Sequence, residues 1–210
     1  MYADSMNDKT PNTQHARGPA DHSVRDRIVE AAREHFSHYG YEKTTVSDLA
    51  KAIGFSKAYI YKFFDSKQAI GQAICSRCLS AITDAVSESI SQGTTPTDRF
   101  RRMFETTVAT SVHMFFNDRK LYDIAAYSVA EKWPSAQAYE DHIRKTLMQI
   151  IREGREAGEF ERKTPLDDTV HAIFLVMEPY VNPLLLQHNL DQVDEAPRQI
   201  TNLVLRSLAP

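Results

Sequence analysis

Lysine and tyrosine crowd the stretch "SKAYIYKFF" at 56–64, which holds Lys57, Tyr59, Tyr61 and Lys62. An ammonium neutralises a phosphate, a phenol donates to one, and both can reach the hydrogen-bonding edges of bases. The chemistry this set supports is recognition rather than bond-making. Groups suited to catalysis are scattered: the sequence contains no GxSxG, no HExxH and no glycine loop able to cradle phosphates. Cys75 and Cys78 in "CSRC" have the spacing of a redox pair or half a zinc site, but no second Cys/His pair stands at zinc-finger spacing. They read as two small apolar residues on one helical face. The expectation is a protein without catalytic residues, metal or cofactor, and not an enzyme.

Three elements must position the lysines and tyrosines. Val46, Leu49, Ala50 and Ile53 recur at i, i+3, i+4 and i+7, the apolar face of a short helix, and Thr45-x-x-Asp48 is a capping box at its start. Gly54 ends that helix where a turn needs positive φ. A second short helix from about Ser56 then has Ile60 with Phe63 or Phe64 as inward anchors, leaving Lys57, Tyr59, Tyr61 and Lys62 on the other face. Helix, tight turn and helix in this order fit the DNA major groove. The first turns of both helices, after Thr44, Thr45 and Ser56, offer free amides to phosphates. Ala58 is small enough for close backbone approach to bases, and Lys67 is placed to reach a flanking phosphate. Over residues 51–67 four lysines stand against one aspartate, although the chain as a whole carries a net charge of −3. The positive surface is therefore local.

These residues resemble a known family. "FSHYGYEKTTVSDLAKAIGFSKAYIYKFFDSKQAI" is similar to the DNA-binding region of the TetR family of bacterial transcriptional regulators, through its F-x-x-Y-G-Y, T-T-V-x-D-L-A-x-x-x-G-x-S and Y-x-x-F-x-S-K segments. The likeness covers roughly residues 25–75. Phe63 departs from it, standing where many members have a histidine. The resemblance implies a three-helix DNA-binding head, a linking fourth helix, and a helical body that binds a small molecule and pairs two subunits.

The remaining sequence is helical in pattern. The chain has 210 residues, 42% hydrophobic and 25% charged, with only 7 glycines. Residues 1–20 are polar and turn-rich, without the apolar core of a secretory signal, and are expected to form a disordered arm. No apolar run of about 18 residues is present, so no membrane span is expected and the cytoplasm is the expected location. Residues 23–39 carry Ile28, Ala32, Phe36 and Tyr39 at helical steps, with Ser23-x-x-Asp26 as a capping box and Gly40 as a stop. Thr95-Pro96-x-Asp98 and Thr164-Pro165-x-Asp167 read as further helix starts. Helices are expected near 97–116, 118–131, 134–156, 166–186 and 194–208, making an all-α fold of about nine helices. The head spans 21–67, and residues 68–210 form a ligand-binding and dimerisation body.

In that body Met103, Phe104, Phe116, Tyr122, Tyr127, Trp133, Phe174 and Met177 supply bulky, polarizable surface, with His113 and Glu178 as polar fixtures. Such residues are first of all core, and such a surplus also suits a pocket for an aromatic or amphipathic organic effector. Glu178 would favour a cationic ligand. The segments near 166–186 and 194–208 are apolar enough to seal a homodimer. The expected function is transcriptional regulation: a repressor bound to a near-palindromic double-stranded DNA operator and released by the effector. The alternative is an all-α carrier or enzyme whose helix-turn-helix is idle.

Overall fold

The computed structural model describes residues 19–116 and 119–210, and within them the chain is all-α. The head comprises α1 (Pro19–Tyr39), α2 (Val46–Ile53) and α3 (Lys57–Ile60). The body follows as α4 (Lys67–Ser91), α5 (Pro96–Phe116), α6 (Arg119–Ala130), α7 (Pro134–Glu156), α8 (Leu166–Val181), α9 (Pro183–Leu186) and α10 (Ala196–Ser207). A single 3-10 turn, Leu190–Gln192, precedes α10. The expected disordered arm lies outside the described residues except for Pro19 and Ala20, which belong to α1.

Local chemistry sets most of the boundaries. Asp48 N–H donates to Thr45 Oγ1 at 3.2 Å and Thr45 N–H donates back to Asp48 Oδ2 at 2.9 Å, completing the box that opens α2. Gly54 closes it at φ +75°. Thr95 Oγ1 accepts from Asp98 N–H at 3.1 Å and opens α5 ahead of Pro96. Two expected starts differ. Ser23 and Asp26 lie inside α1, where Asp26 pairs with Arg77 of α4 instead of capping. Thr164 precedes the cap position of α8, which Pro165 occupies without a side-chain cap, while the Thr164 amide donates to Glu161. The helix expected over 166–186 is two helices. Asn182 sits at φ −89°, ψ 119° because the ring of Pro183 excludes the helical region for the residue before it. The chain restarts there with Asn182 capping the Leu184 amide at 2.9 Å.

Head and body share one continuous apolar core. In the head, Ile28, Ala32 and Phe36 of α1 bury against Leu49 and Ala50 of α2 and against Ile60 and Phe64. In the body α4 packs along α5 and α7, and α10 lies against α5 and α8. Phe100, Met103, Phe104, Ile143, Leu147 and Met177 fill the space between them. Each such side chain contributes about 1.5–3 kcal/mol by leaving water. The two parts meet at Gly71 of α4, where an added Cβ would lie 2.9 Å from ring atoms of both Trp133 and Tyr41. Only a bare α-carbon lets the two rings seat against α4. Tyr41 also contacts Tyr127, with ring centroids 5.4 Å apart.

Candidate functional site

The head presents a polar face over an apolar footing. Ile60, Phe63 and Phe64 are buried beneath α3 and the turn that follows it, while Ser56, Lys57, Ala58, Tyr61 and Lys62 are exposed. Ser56 Oγ accepts from the Tyr59 amide at 3.1 Å and fixes the start of α3. The Lys57 ammonium lies 5.8 Å from the Tyr61 ring centre and that of Lys62 lies 5.6 Å from the Tyr59 ring. The cations thus stand beside aromatic faces, two donor types side by side. Tyr59 is half-buried, its ring set edge-on between Phe55 at 5.0 Å and Phe63 at 5.3 Å. It braces the helix as much as it faces outward.

Three other head residues carry structural tasks. Thr44 is 2% exposed and its hydroxyl donates to Gly40 O at 2.9 Å, which closes the turn between α1 and α2. The Thr45 hydroxyl donates to Asp48 Oδ2 at 2.6 Å. Lys67 was expected at a flanking phosphate, but its ammonium donates to Tyr41 O at 3.0 Å and Glu42 O at 3.3 Å and lies 4.5 Å from the Tyr41 ring centre. Lys67 ties the linking helix to the α1–α2 loop. The sequence spread its candidate recognition residues over both helices; those left exposed at and after α3 are Ser56, Lys57, Ala58, Tyr61 and Lys62.

The body encloses a cavity of about 340 Å³ among α4, α6, α7, α8 and the start of α9. Its walls are Leu79, Ala125, Val129, Ala136, Ile143, Phe174 and Val181, with Ser128, Gln137, Tyr139 and Asn182 as neutral polar groups and Lys132, Glu140 and Glu178 as charges. Arg144 donates to Glu140 Oε1 through Nε at 3.0 Å and a terminal nitrogen at 2.9 Å, and stacks 3.5 Å from the Phe174 ring centre. Burial pushes the Tyr139 phenol up to about 12, so it stays protonated at any ordinary pH.

Of the ten residues expected to hold a ligand, Phe174 and Glu178 line this cavity. Met103, Phe104, Trp133 and Met177 are buried core. Phe116 packs on Tyr122, centroids 5.3 Å apart, and His113 is on the exposed side of α5. Tyr127 faces a second, open cleft of about 550 Å³ between head and body, shared with Tyr39, Lys43 and Asp123. The reason is volume: large side chains fill the interior, and a cavity remains where small ones such as Ala125, Ser128 and Ala136 stand. Lys132, Tyr139 and Glu140 were missed, although "EKWPSAQAYE" shows a helix break with small residues beyond it.

Comparison with known proteins agrees with this geometry. Residues 28–74 match the family model "Bacterial regulatory proteins, tetR family". Residues 96–201, about half of the chain, match "Tetracyclin repressor-like, C-terminal domain". The negative transcriptional regulator of the biofilm operon icaADBC, IcaR of Staphylococcus aureus, is 33% identical over 63 residues, 30% of this chain and 34% of that protein. The chain thus spans about a third of the length of the curated relatives it matches first. The fatty acid degradation regulator FadR from Bacillus halodurans superposes with a TM-score of 0.68 at 18% identity, covering 90% of this chain and 96% of that one. FadR from Bacillus subtilis in complex with stearoyl-CoA gives 0.67 at 18% identity, covering 87% and 98%. At that identity the two structures speak for the fold.

Proposed function

The chain belongs to the TetR family of bacterial transcriptional regulators, and from that premise we propose that it is a repressor released from a near-palindromic operator by a small organic effector. The observation that carries this reading is the exposed row of Ser56, Lys57, Ala58, Tyr61 and Lys62, seated over buried Ile60 and Phe64. Such a row enters the major groove, where lysines and phenols meet phosphates and base edges. The effector site is the cavity between α4, α6, α7 and α8; its apolar walls and few polar groups suit an amphipathic molecule. One of the similar structures is in complex with stearoyl-CoA, which supports a small-molecule ligand for the body.

One head covers too little DNA for useful specificity, so the operator-bound form is a two-fold dimer. Leu175 and Val176 of α8 are 50% and 42% exposed and Leu203 of α10 is 64% exposed. These side chains, on two helices packed together, supply an apolar seam for a four-helix bundle between protomers. Among the described residues no helix is long and apolar enough to cross a membrane, and a cytoplasmic, DNA-accessible protein fits the role. A gel shift on DNA upstream of its own gene tests the reading. Retarded DNA that resists unrelated competitor supports it; a carrier or enzyme with an idle head gives no specific shift.

A further inference from the structure

Lys132 is held in a backbone conformation that costs free energy for any residue with a Cβ. It follows α6, where Trp133 N–H donates to Ser128 O at 2.8 Å and Lys132 N–H to Val129 O at 3.1 Å. That bonding pattern ends a helix with a left-handed residue, and glycine is the residue that fits it freely. Lys132 stands there at φ +51°, the only non-glycine residue with positive φ among the described residues. The residue kept at this expense is exposed and belongs to the lining of the effector cavity.

The same cavity holds Glu178, half-buried on α8. Among the described residues neither the Lys132 ammonium nor the Glu178 carboxylate has an ion pair or side-chain hydrogen bond, with each other or with a third group. Glu140, the remaining charge of the lining, is already held by Arg144. The cavity therefore offers one cation and one anion, kept apart, between walls of leucine, isoleucine, valine and phenylalanine. A ligand of one sign would satisfy one of them and cover the other with apolar surface. Glu178 is half-buried, so a charge matched to it counts for more than it would in water, whereas Lys132 is exposed and its contact is screened by solvent.

We infer that the effector is a small zwitterion with an apolar body, its anionic group received by Lys132 and its cationic group by Glu178. The inference rests on the reading of this cavity as the effector site. A volume of about 340 Å³ is at the small end for ligand pockets and suits a compact molecule of this kind.

Calorimetric titration of the full chain with three probes that share one body tests it. Leucyl-phenylalanine carries both charges, its N-acetyl derivative the anion alone, and its C-terminal amide the cation alone. Leucyl-phenylalanine should bind about tenfold tighter than either derivative, the worth of one charged contact. Lys132→Gly should leave the melting temperature of the free protein unchanged or raised, because the left-handed strain is relieved, and yet erase the preference over the amide. Glu178→Gln should erase the preference over the N-acetyl form. Equal binding of the three probes, preferences unchanged in both variants, or no binding by any probe overturns the inference. Ala136→Phe narrows the cavity and separates the two readings. If it blocks the probes while the charge preferences fail, the zwitterion is wrong and the cavity stands. If bound probes ignore Ala136→Phe and both charge variants, the cavity reading falls as well.

Discussion

Tyr59 and Tyr61 are two residues apart and do different work. Tyr59 is wedged between Phe55 and Phe63, whereas Tyr61 is 42% exposed beside Lys57. Tyr59→Ala should therefore destabilise the head by about 1–3 kcal/mol in a denaturant titration, through lost aromatic packing. Tyr61→Phe should leave stability unchanged and weaken operator binding; equal effects of the two on unfolding would contradict the assignment. Lys67 shows how a residue type can mislead. Its sequence position, at the start of a helix after a lysine-rich stretch, suits a phosphate, and nothing local says that the Tyr41 and Glu42 carbonyls return to meet it. Lys67→Met keeps the stem and removes the bonds. It should cost about 1–3 kcal/mol, seen as a lowered unfolding midpoint, because the partly buried Tyr41 carbonyl and the exposed Glu42 carbonyl lose a charged donor.

At the scale of the helix, short elements depend on their ends. The Thr45 hydroxyl and then its amide donate to the Asp48 carboxylate and hold its pKa below the usual carboxylate range. A depressed folded pKa contributes stability above the unfolded value of about 3.9 and loses it as pH falls through the lower folded value. Thr45→Ala should lower the melting temperature by about 2–4 °C at neutral pH. The gap from wild type should narrow below about pH 3, and a constant gap down the acid limb would mean that the box is not the cause. Boundaries of this kind were legible because a cap, a proline or a glycine is a local signal: Thr45-x-x-Asp48, Thr95-Pro96 and Gly54 all act where the spacing puts them. The break at Asn182 was missed because "YVNPLLL" continues the apolar pattern straight through Pro183, and hydrophobic spacing outweighed the proline. The cavity was less legible still. It is defined by what small side chains leave empty between four helices, and sequence displays the bulky residues that fill space. The surplus of methionine and aromatic residues marked the core, and of the ten residues expected at a ligand only Phe174 and the acid Glu178 line the cavity.

At the scale of the molecule, the head and the cavity are joined through α4 and α6, with Gly71, Tyr41 and Trp133 at the contact. In the operator complex proposed above, two such molecules pair so that the heads reach successive major grooves. Leu203→Glu places a charge in the proposed seam, on a helix outside the head. Sedimentation should then show a monomer with native helix content and greatly weakened operator binding, whereas a stable dimer would remove α10 from the interface. The account stands or falls on whether the exposed row at α3 holds DNA. Fluorescence anisotropy of labelled DNA from upstream of the gene, across a salt series, measures this for wild type, for Lys57→Ala combined with Lys62→Ala, and for Lys145→Ala on the exposed side of α7. The double variant should bind weakly and lose about two units of salt slope per head, one for each phosphate contact removed, with Lys145→Ala matching wild type. Affinity and slope unchanged in the double variant would contradict the account.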